Sequence, residues 1–333
     1  MKRVAINGLG RIGRMVLRHY MEVRPAEIEL VAANDLVSLD NLVYLIKYDS
    51  IHGRASFPVN AEGNAIHMGD TSVQLFAEKD PAQLPWKKLG VDVVIECTGL
   101  FTERALAAKH LEAGARRVVV SAPSPDADIT IIMGVNHSAF NPEKHQVISN
   151  ASCTTNSLVP PLKVMLDSFG IERVLVTTVH AYTGTQGLVD KPSKKHIRGR
   201  AAAVSLIPTT TGSDVATTMV LPELNERIRA LAIRAPVPDG AITDIVADLK
   251  KNVTVDEVNA AFKAAANSSM KGILGYSEEE LVSSDIIGDP HSGIVHALST
   301  IVVQGSMVKV QVWYDNEFGY SMRLLDTIQY LPL

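Results

Sequence analysis

Cysteine is scarce in this chain. Cys97 and Cys153 are its only two cysteines among 333 residues, too few for a disulfide scaffold and suited to a reducing compartment. Metal-ligand spacing is missing as well. No CxxC or HExxH occurs and the ten histidines are scattered, so no metal site is expected. No uninterrupted apolar stretch reaches the length of a membrane span. The opening MKRVAINGLGRIGR puts glycines and arginines where a signal peptide needs its apolar region. These absences lead to the expectation of a soluble, cytoplasmic chain with no membrane partner. The net charge is -4, with neither a basic tail nor a long Lys/Arg block, which argues against a specific nucleic-acid partner. Small molecules and further copies of the same chain are the expected partners.

What the chain does contain is length and ordinary globular composition, 46% apolar and 20% charged. Two domains are therefore expected. Up to residue 150, β-branched runs alternate with helical stretches. Val4 to Asn7, Glu29 to Asn34, Val91 to Thr98, Arg117 to Ser121 and Ile129 to Val135 read as strands; Arg11 to Tyr20, Leu39 to Leu45 and Arg104 to Ala113 read as helices. Apolar strands interleaved with helices predict an α/β, Rossmann-type doubly wound parallel sheet. From residue 151 the strand candidates lengthen: Val174 to Tyr182, Ala230 to Val237, Ala241 to Lys250, and Ser299 to Trp313 with a hairpin turn at Gln304-Gly305-Ser306. With the amphipathic helix Val255 to Ala266 they predict an α+β domain with a mainly antiparallel sheet. A segment at about 183–203, rich in Lys, Gly, Pro and Arg, is too long for a simple connection and reads as a functional loop.

Two motifs carry chemistry. Gly8, Gly10 and Gly13 form a GxGxxG between the first strand and the first helix, a turn that brings backbone N–H groups and a helix N-terminus up to a pyrophosphate. Asp35 ends the second strand about 20 residues later, where a carboxylate meets the adenosine ribose hydroxyls. Its charge would repel a 2′-phosphate, so NAD is preferred to NADP. The second motif is Ser149-Asn150-Ala151-Ser152-Cys153-Thr154-Thr155-Asn156, followed by an apolar run, Ser157 to Phe169, that reads as a helix despite Pro160 and Pro161. A helix N-terminus favours a thiolate. His180, near the end of the next strand, is of the right type for a partner base. On these residues alone Cys153 is either a nucleophile or a small buried hydrophobe, and His180 is either a base or a structural histidine. Cys97, inside the apolar run VVIECTG, reads as a buried hydrophobe.

NGLGRIGR, KYDSIHG, ECTGLF, SAPS, MGVNH, SNASCTTN, HAYTGTQ, IPTTTG, SSDIIGDP and WYDNEFGYS together resemble phosphorylating glyceraldehyde-3-phosphate dehydrogenase over nearly the whole chain. The resemblance implies that Cys153 attacks the aldehyde of glyceraldehyde 3-phosphate, that His180 removes a proton, and that a thioester is then captured by inorganic phosphate to give 1,3-bisphosphoglycerate. It implies Thr183, Arg198 and Arg234 at the substrate phosphate, and Ser152, Thr154, Thr211 and Gly212 at the attacking phosphate. For the cofactor it adds Arg11 and Ile12 at the pyrophosphate, Lys79 near the adenine, Thr98 and Ser121 along the sheet edge, and Asn316 on the nicotinamide amide. It also implies a homotetramer, with the long loop packing on a neighbouring subunit. The C-terminal helix, at about 317–333, would rejoin the dinucleotide-binding domain of residues 1–150, leaving 151–316 as the catalytic domain.

Three departures from the family pattern bear on expectation. Lys191, in DKPSKK, replaces a small or apolar residue and would offset the repulsion between Asp35 and a 2′-phosphate, which makes NADP use beside NAD a point to test. Lys79 stands for an arginine, and Gly240, in APVPDGAITD, for a larger residue beside the substrate phosphate. The rival readings are erythrose-4-phosphate dehydrogenase, which releases the acid by hydrolysis, and a catalytically silent cofactor-binding paralogue.

Overall fold

The computed structural model describes residues 1–332, and its contacts divide the chain into two units: residues 1–152 with the C-terminal segment from Ser321, and Cys153–Tyr320.

The first unit is built on a nine-stranded sheet. Its order is Ile129–Thr130, Val147–Ser149, Arg117–Val120, Val93–Glu96, Lys2–Asn7, Ile28–Asn34, Thr71–Phe76, Ala65–Met68 and Val59–Glu62. The first seven run parallel and the last two antiparallel. Val93–Glu96 and Arg117–Val120 are buried at every position, as strands covered on both faces must be, which is why they read as unbroken apolar runs. The chain moves outward from Lys2–Asn7 to one side, then returns to build the other. Strand order therefore reverses at Lys2–Asn7, and a crevice opens beyond its carboxyl end.

The second unit holds an eight-stranded, mainly antiparallel sheet. Ile207–Thr210, Ile228–Ala235, Ile171–Ala181, Ala241–Leu249, Met307–Tyr314, Gly293–His296 and Leu274–Ser277 lie in that order, with Ile301–Val303 also on Met307–Tyr314. Ala241–Leu249 alternates strictly between buried and half-buried positions, so one face of the strand is core. The helices Cys153–Phe169, Ser213–Val220 and Val255–Ala266 belong to this unit; the first packs on the sheet, where Thr154 meets Tyr314 and Ser157 meets Thr243. The hairpin loop Gln304-Gly305-Ser306 joins the paired residues Val303 and Met307, and its first two residues have positive φ (49° and 80°).

Three local expectations change. The helix expected from Ser157 begins at Cys153 and contains both prolines. These remove the N–H groups that would bond the carbonyls of Asn156 and Ser157, and within the same turns the Ser157 hydroxyl donates to Thr154 O at 2.9 Å. The strand expected over Ile129 to Val135 stops at Thr130, because the Asn136 side chain takes its backbone partners, Thr130 O and Ile132 N, both at 2.8 Å. The helix expected over Arg104 to Ala113 divides into Arg104–Ala107 and Lys109–Glu112. Among the described residues, no helix is long and apolar enough to cross a membrane.

Candidate active site

The glycine turn sits where strand order reverses. Gly8 has φ +94°, and a Cβ on it would lie 2.7 Å from Thr98 N; both its conformation and its neighbour exclude a side chain. A Cβ on Gly13 would lie 2.0 Å from Gly8 O, so the helix Arg11–Val23 can approach the strand only without one. Gly10 faces open space and caps that helix with no side-chain bond to its first N–H groups, which leaves those donors to an anion. A cleft of about 310 Å³ runs from this turn along Asn34, Asp35, Leu36, Lys79, Cys97 and Thr98. Asp35 is fixed at its edge: Leu9 N donates to one carboxylate oxygen at 2.6 Å and Val37 N to the other at 2.9 Å. The cleft thus presents N–H donors for phosphate and a carboxylate for ribose hydroxyls, and it fits a dinucleotide.

Other residues expected at the cofactor are placed differently. The Arg11 guanidinium is engaged by Asp49, so only its backbone belongs to the glycine turn. Burial pushes the Asp49 carboxyl up, but the Arg11 guanidinium and the His52 and Ile51 N–H groups outweigh burial and bring it to about 2. Ile12 follows Arg11 in the first turn of the helix. Ser121 N donates to Glu96 O, and its hydroxyl meets the Cys97 thiol. Burial, the largest effect, pushes that thiol up to about 12, so it stays protonated. In the second unit Asn316 is buried, and its Oδ1 is an acceptor with no hydrogen-bond partner, a suitable site for a ligand amide donor.

The nucleophile candidate stands after a sharp turn. Ala151, buried, has φ +52°, a left-handed conformation that costs a residue with a Cβ about 1–2 kcal/mol. Cys153 then opens the helix, and its Sγ lies 3.4 Å from His180 Nε2. His180 reaches this place by strand alternation: it shares the inner face of Ile171–Ala181 with Thr178. Parallel register sets it beside Arg234, whose Nη1 lies 2.7 Å from His180 Nδ1 and donates to Ala181 O at 2.9 Å. Burial, then the charge of Arg234, lowers His180 to about 3; Arg198 acts in the same sense and Glu317 against it. Burial raises the Cys153 thiol although Arg234 and Thr154 oppose it. The resting pair is therefore a thiol beside a neutral imidazole.

Tyr314 ties this group together. Its hydroxyl lies 3.0 Å from Thr154 Oγ1 and 2.9 Å from Thr178 Oγ1, and its ring meets the His180 ring edge-on at 5.9 Å. Arg198 is held by Thr209 Oγ1 at 3.0 Å and Thr210 O at 3.1 Å. Thr183 N is held by the buried Gln186 at 3.2 Å. The Thr211 hydroxyl donates to Ser213 Oγ at 3.1 Å, and Gly212 caps the helix Ser213–Val220. Ser152 precedes Cys153 in the chain and is half-buried. Cys153, His180, Thr154, Arg198 and Arg234 interact directly or through their charges. Sequence reasoning missed Tyr314 and Thr178, and gave Gln186 no role; alternation with His180 was the signal for Thr178. Gly240, at φ +83° and with Ser283 O where its Cβ would be, answers a backbone need. Beside it Asp239 is pushed up to about 9, by burial first and then by Asp315 and Glu317.

Comparison with known proteins covers both units. Residues 2–104 match the family described as glyceraldehyde 3-phosphate dehydrogenase, NAD binding domain, and residues 152–316 match its C-terminal domain. The glyceraldehyde-3-phosphate dehydrogenase of Geobacillus stearothermophilus is 52% identical over 329 residues, 99% of this chain and 98% of the relative. Glyceraldehyde-3-phosphate dehydrogenase 1 of Bacillus subtilis is 51% identical over the same shares. The Streptomyces coelicolor enzyme of that name is 50% identical over 325 residues, 97% of this chain and 96% of the relative.

Proposed function

Since the chain belongs to the glyceraldehyde-3-phosphate dehydrogenase family and is an NAD-dependent oxidoreductase, we propose that it oxidises glyceraldehyde 3-phosphate reversibly to 1,3-bisphosphoglycerate by thioester chemistry on Cys153. The observation that carries this reading is the 3.4 Å approach of Cys153 Sγ to His180 Nε2 beside Arg234.

Cys153 attacks the aldehyde carbon as its proton passes to His180 Nε2, which hands it on to the former carbonyl oxygen, giving a thiohemiacetal and a neutral imidazole again. The neutral imidazole makes this transfer available. Base action at Nε2 requires the ring proton on Nδ1, directed at Ala181 O 2.7 Å away, with Arg234 Nη1 donating to that oxygen rather than to Nδ1; the Nε2 lone pair then faces sulfur. His180 then takes the hydroxyl proton of the thiohemiacetal as its carbon loses hydride. NAD, when bound, supplies the hydride acceptor. The thioester left on Cys153 keeps enough reactivity for inorganic phosphate to displace the sulfur, so the acyl phosphate leaves and Cys153 is regenerated.

Thr183, Arg198 and Arg234 hold the substrate phosphate, and Ser152, Thr154, Thr211 and Gly212 the attacking phosphate. Guanidinium donors and a helix N-terminus suit phosphate oxygens, and Tyr314 orients the Thr154 hydroxyl for the same task. Gly8, Gly10, Arg11, Ile12 and Gly13 bind the pyrophosphate of NAD through backbone, Asp35 the ribose, Lys79, Thr98 and Ser121 the cleft walls, and Asn316 the carboxamide. We assign a cytoplasmic homotetramer, the tetramer supported by apolar side chains that the 183–203 loop leaves in solvent, Leu188, Val189 and Ile197 among them. The test is NADH formation from glyceraldehyde 3-phosphate and from erythrose 4-phosphate, with and without inorganic phosphate. Strict phosphate dependence with the three-carbon aldehyde is expected; equal rates without phosphate would replace this reading with hydrolytic release of the acid.

A further inference from the structure

Beneath the cofactor cleft lies a buried polar chain that no step above uses. Glu96 ends the strand Val93–Glu96 and is 1% exposed. Asn7 Nδ2 donates to its Oε2 at 2.6 Å, and His110 Nε2 lies 3.0 Å from the same oxygen. Thr98 donates twice to Oε1, from its N–H at 2.7 Å and from its hydroxyl. The other nitrogen of the fully buried His110, Nδ1, receives the Trp86 indole N–H at 3.0 Å. An indole nitrogen only donates, so His110 Nδ1 accepts and the ring hydrogen sits on Nε2, aimed at Glu96. Both oxygens of Glu96 therefore receive two donors each, the pattern that a carboxylate satisfies and an amide does not.

The chain of bonds continues into the cleft wall. Asn7 Oδ1 accepts from Asn34 Nδ2 at 2.8 Å, and Asn34 Oδ1 accepts from Glu78 N at 2.8 Å. Asn7, Asn34, Glu78 and Thr98 all line the cleft, and Gly8 follows Asn7 while pressing on Thr98 N. An apolar residue would pack at position 96 without the desolvation that a buried carboxylate incurs. What only the carboxylate supplies is convergence: it joins the ends of two strands, through Asn7 and Thr98, and a helix, through His110.

We propose that Glu96 is the positioning residue of the cofactor cleft, holding Asn7 and Thr98 on either side of the glycine turn and anchored from behind by His110 and Trp86. The proposal rests on NAD binding by this unit and is independent of the phosphate chemistry, so its deciding measurement, the Kd for NAD, needs no aldehyde. NAD binding to the cofactor-free protein is measured by titration calorimetry, beside the unfolding midpoint and the steady-state constants. Glu96→Gln offers one acceptor oxygen and one amino group to four donors, so about two lose their partner. Its Kd and KM for NAD are expected to rise about tenfold or more, well beyond any fall in kcat. His110→Gln, whose amide can accept from Trp86 and donate to Glu96, should bind NAD within about threefold of wild type, whereas His110→Phe should bind about tenfold more weakly. Unchanged NAD affinity in Glu96→Gln would overturn the proposal. So would equal losses in the two His110 variants, which would show packing rather than hydrogen bonding at work. If Glu96→Gln fails to fold, the His110 pair decides alone.

Discussion

Replacing His180 with asparagine removes the imidazole while leaving Arg198, Arg234 and the whole cofactor cleft in place. Nε2 lies 3.4 Å from the Cys153 sulfur, close enough to take its proton. Asp239 is pushed up by burial and by the neighbouring Asp315 and Glu317, and Tyr314 is pushed well above the usual phenol range by burial. A general base contributes about 10²–10⁴ in rate. We expect kcat to fall about 10³-fold, equivalent to about 4 kcal/mol of barrier. Burial raises the Cys153 thiol, so what activity remains must come from the small thiolate fraction set by solvent pH. That fraction grows about tenfold per pH unit below the thiol pKa. Steady-state kcat of wild type and His180→Asn is measured from pH 7 to pH 9 with saturating aldehyde, NAD and phosphate. The variant should recover along a slope near one while wild type changes little, and KM for NAD should stay put. A loss smaller than tenfold, or parallel profiles, would refute the assignment of His180 as base.

Asp35→Ser removes the carboxylate at the ribose edge, and kcat/KM for NADP relative to NAD should rise about tenfold or more in steady-state assays with each cofactor. Lys191→Leu should lower the NADP value of the wild-type frame; indifference of that value sinks any role for Lys191 at the cofactor. Asp49→Asn tests the Arg11 pair by urea unfolding. The folded carboxyl, at about 2, lies below its unfolded value, so its stabilisation is full above about pH 4 and fades as pH falls toward 2. Because Arg11 is 35% exposed, we expect a cost of about 1–2 kcal/mol at pH 7 and roughly half of it at pH 3; equal costs at both would discard the ion pair as its source. Gly13→Ala places a Cβ on Gly8 O, so a loss of about 3 kcal/mol or more is expected in the same assay.

Those parts of the fold that depend on local backbone were legible in the sequence. The glycine turn needs positive φ at Gly8, the hairpin at Gln304-Gly305 needs it twice, and the central parallel strands are buried on both faces, so each leaves a signature within a few residues. The antiparallel extension of the first sheet was overlooked. Val59–Glu62, Ala65–Met68 and Thr71–Phe76 are joined by Gly63-Asn64 and Gly69-Asp70, two-residue turns of a kind that signals hairpins. Their strands are short and half polar, so alternation is weak. The helix Cys153–Phe169 shows tertiary packing overriding propensity: two prolines argue against it, but its buried face, from Thr154 to Val164, outweighs the two missing hydrogen bonds.

The site divides along the same line. For Cys153 the hydroxyl-bearing neighbours left nucleophile and buried hydrophobe both open, and only the resemblance of the whole octet to the family chose between them, whereas Asp35 stood out because it closes a strand at a known distance from the glycines. What no local pattern contains is register. His180 and Arg234 are 54 residues apart and meet because their parallel strands pair residue for residue, and Glu96, His110 and Trp86 each read alone as ordinary core. Register is also what gives His180 its character. A histidine facing a thiol is a base only if its imidazole is neutral, and here burial, Arg234 and Arg198 all favour the neutral form. Under the proposed assignment of these guanidiniums to the substrate phosphate, one charge has two effects, drawing the anion and keeping a proton off the base. Assigning Arg234 to phosphate binding from its motif alone left out half of its physical role, because that half is exerted on a residue which only the folded sheet brings beside it.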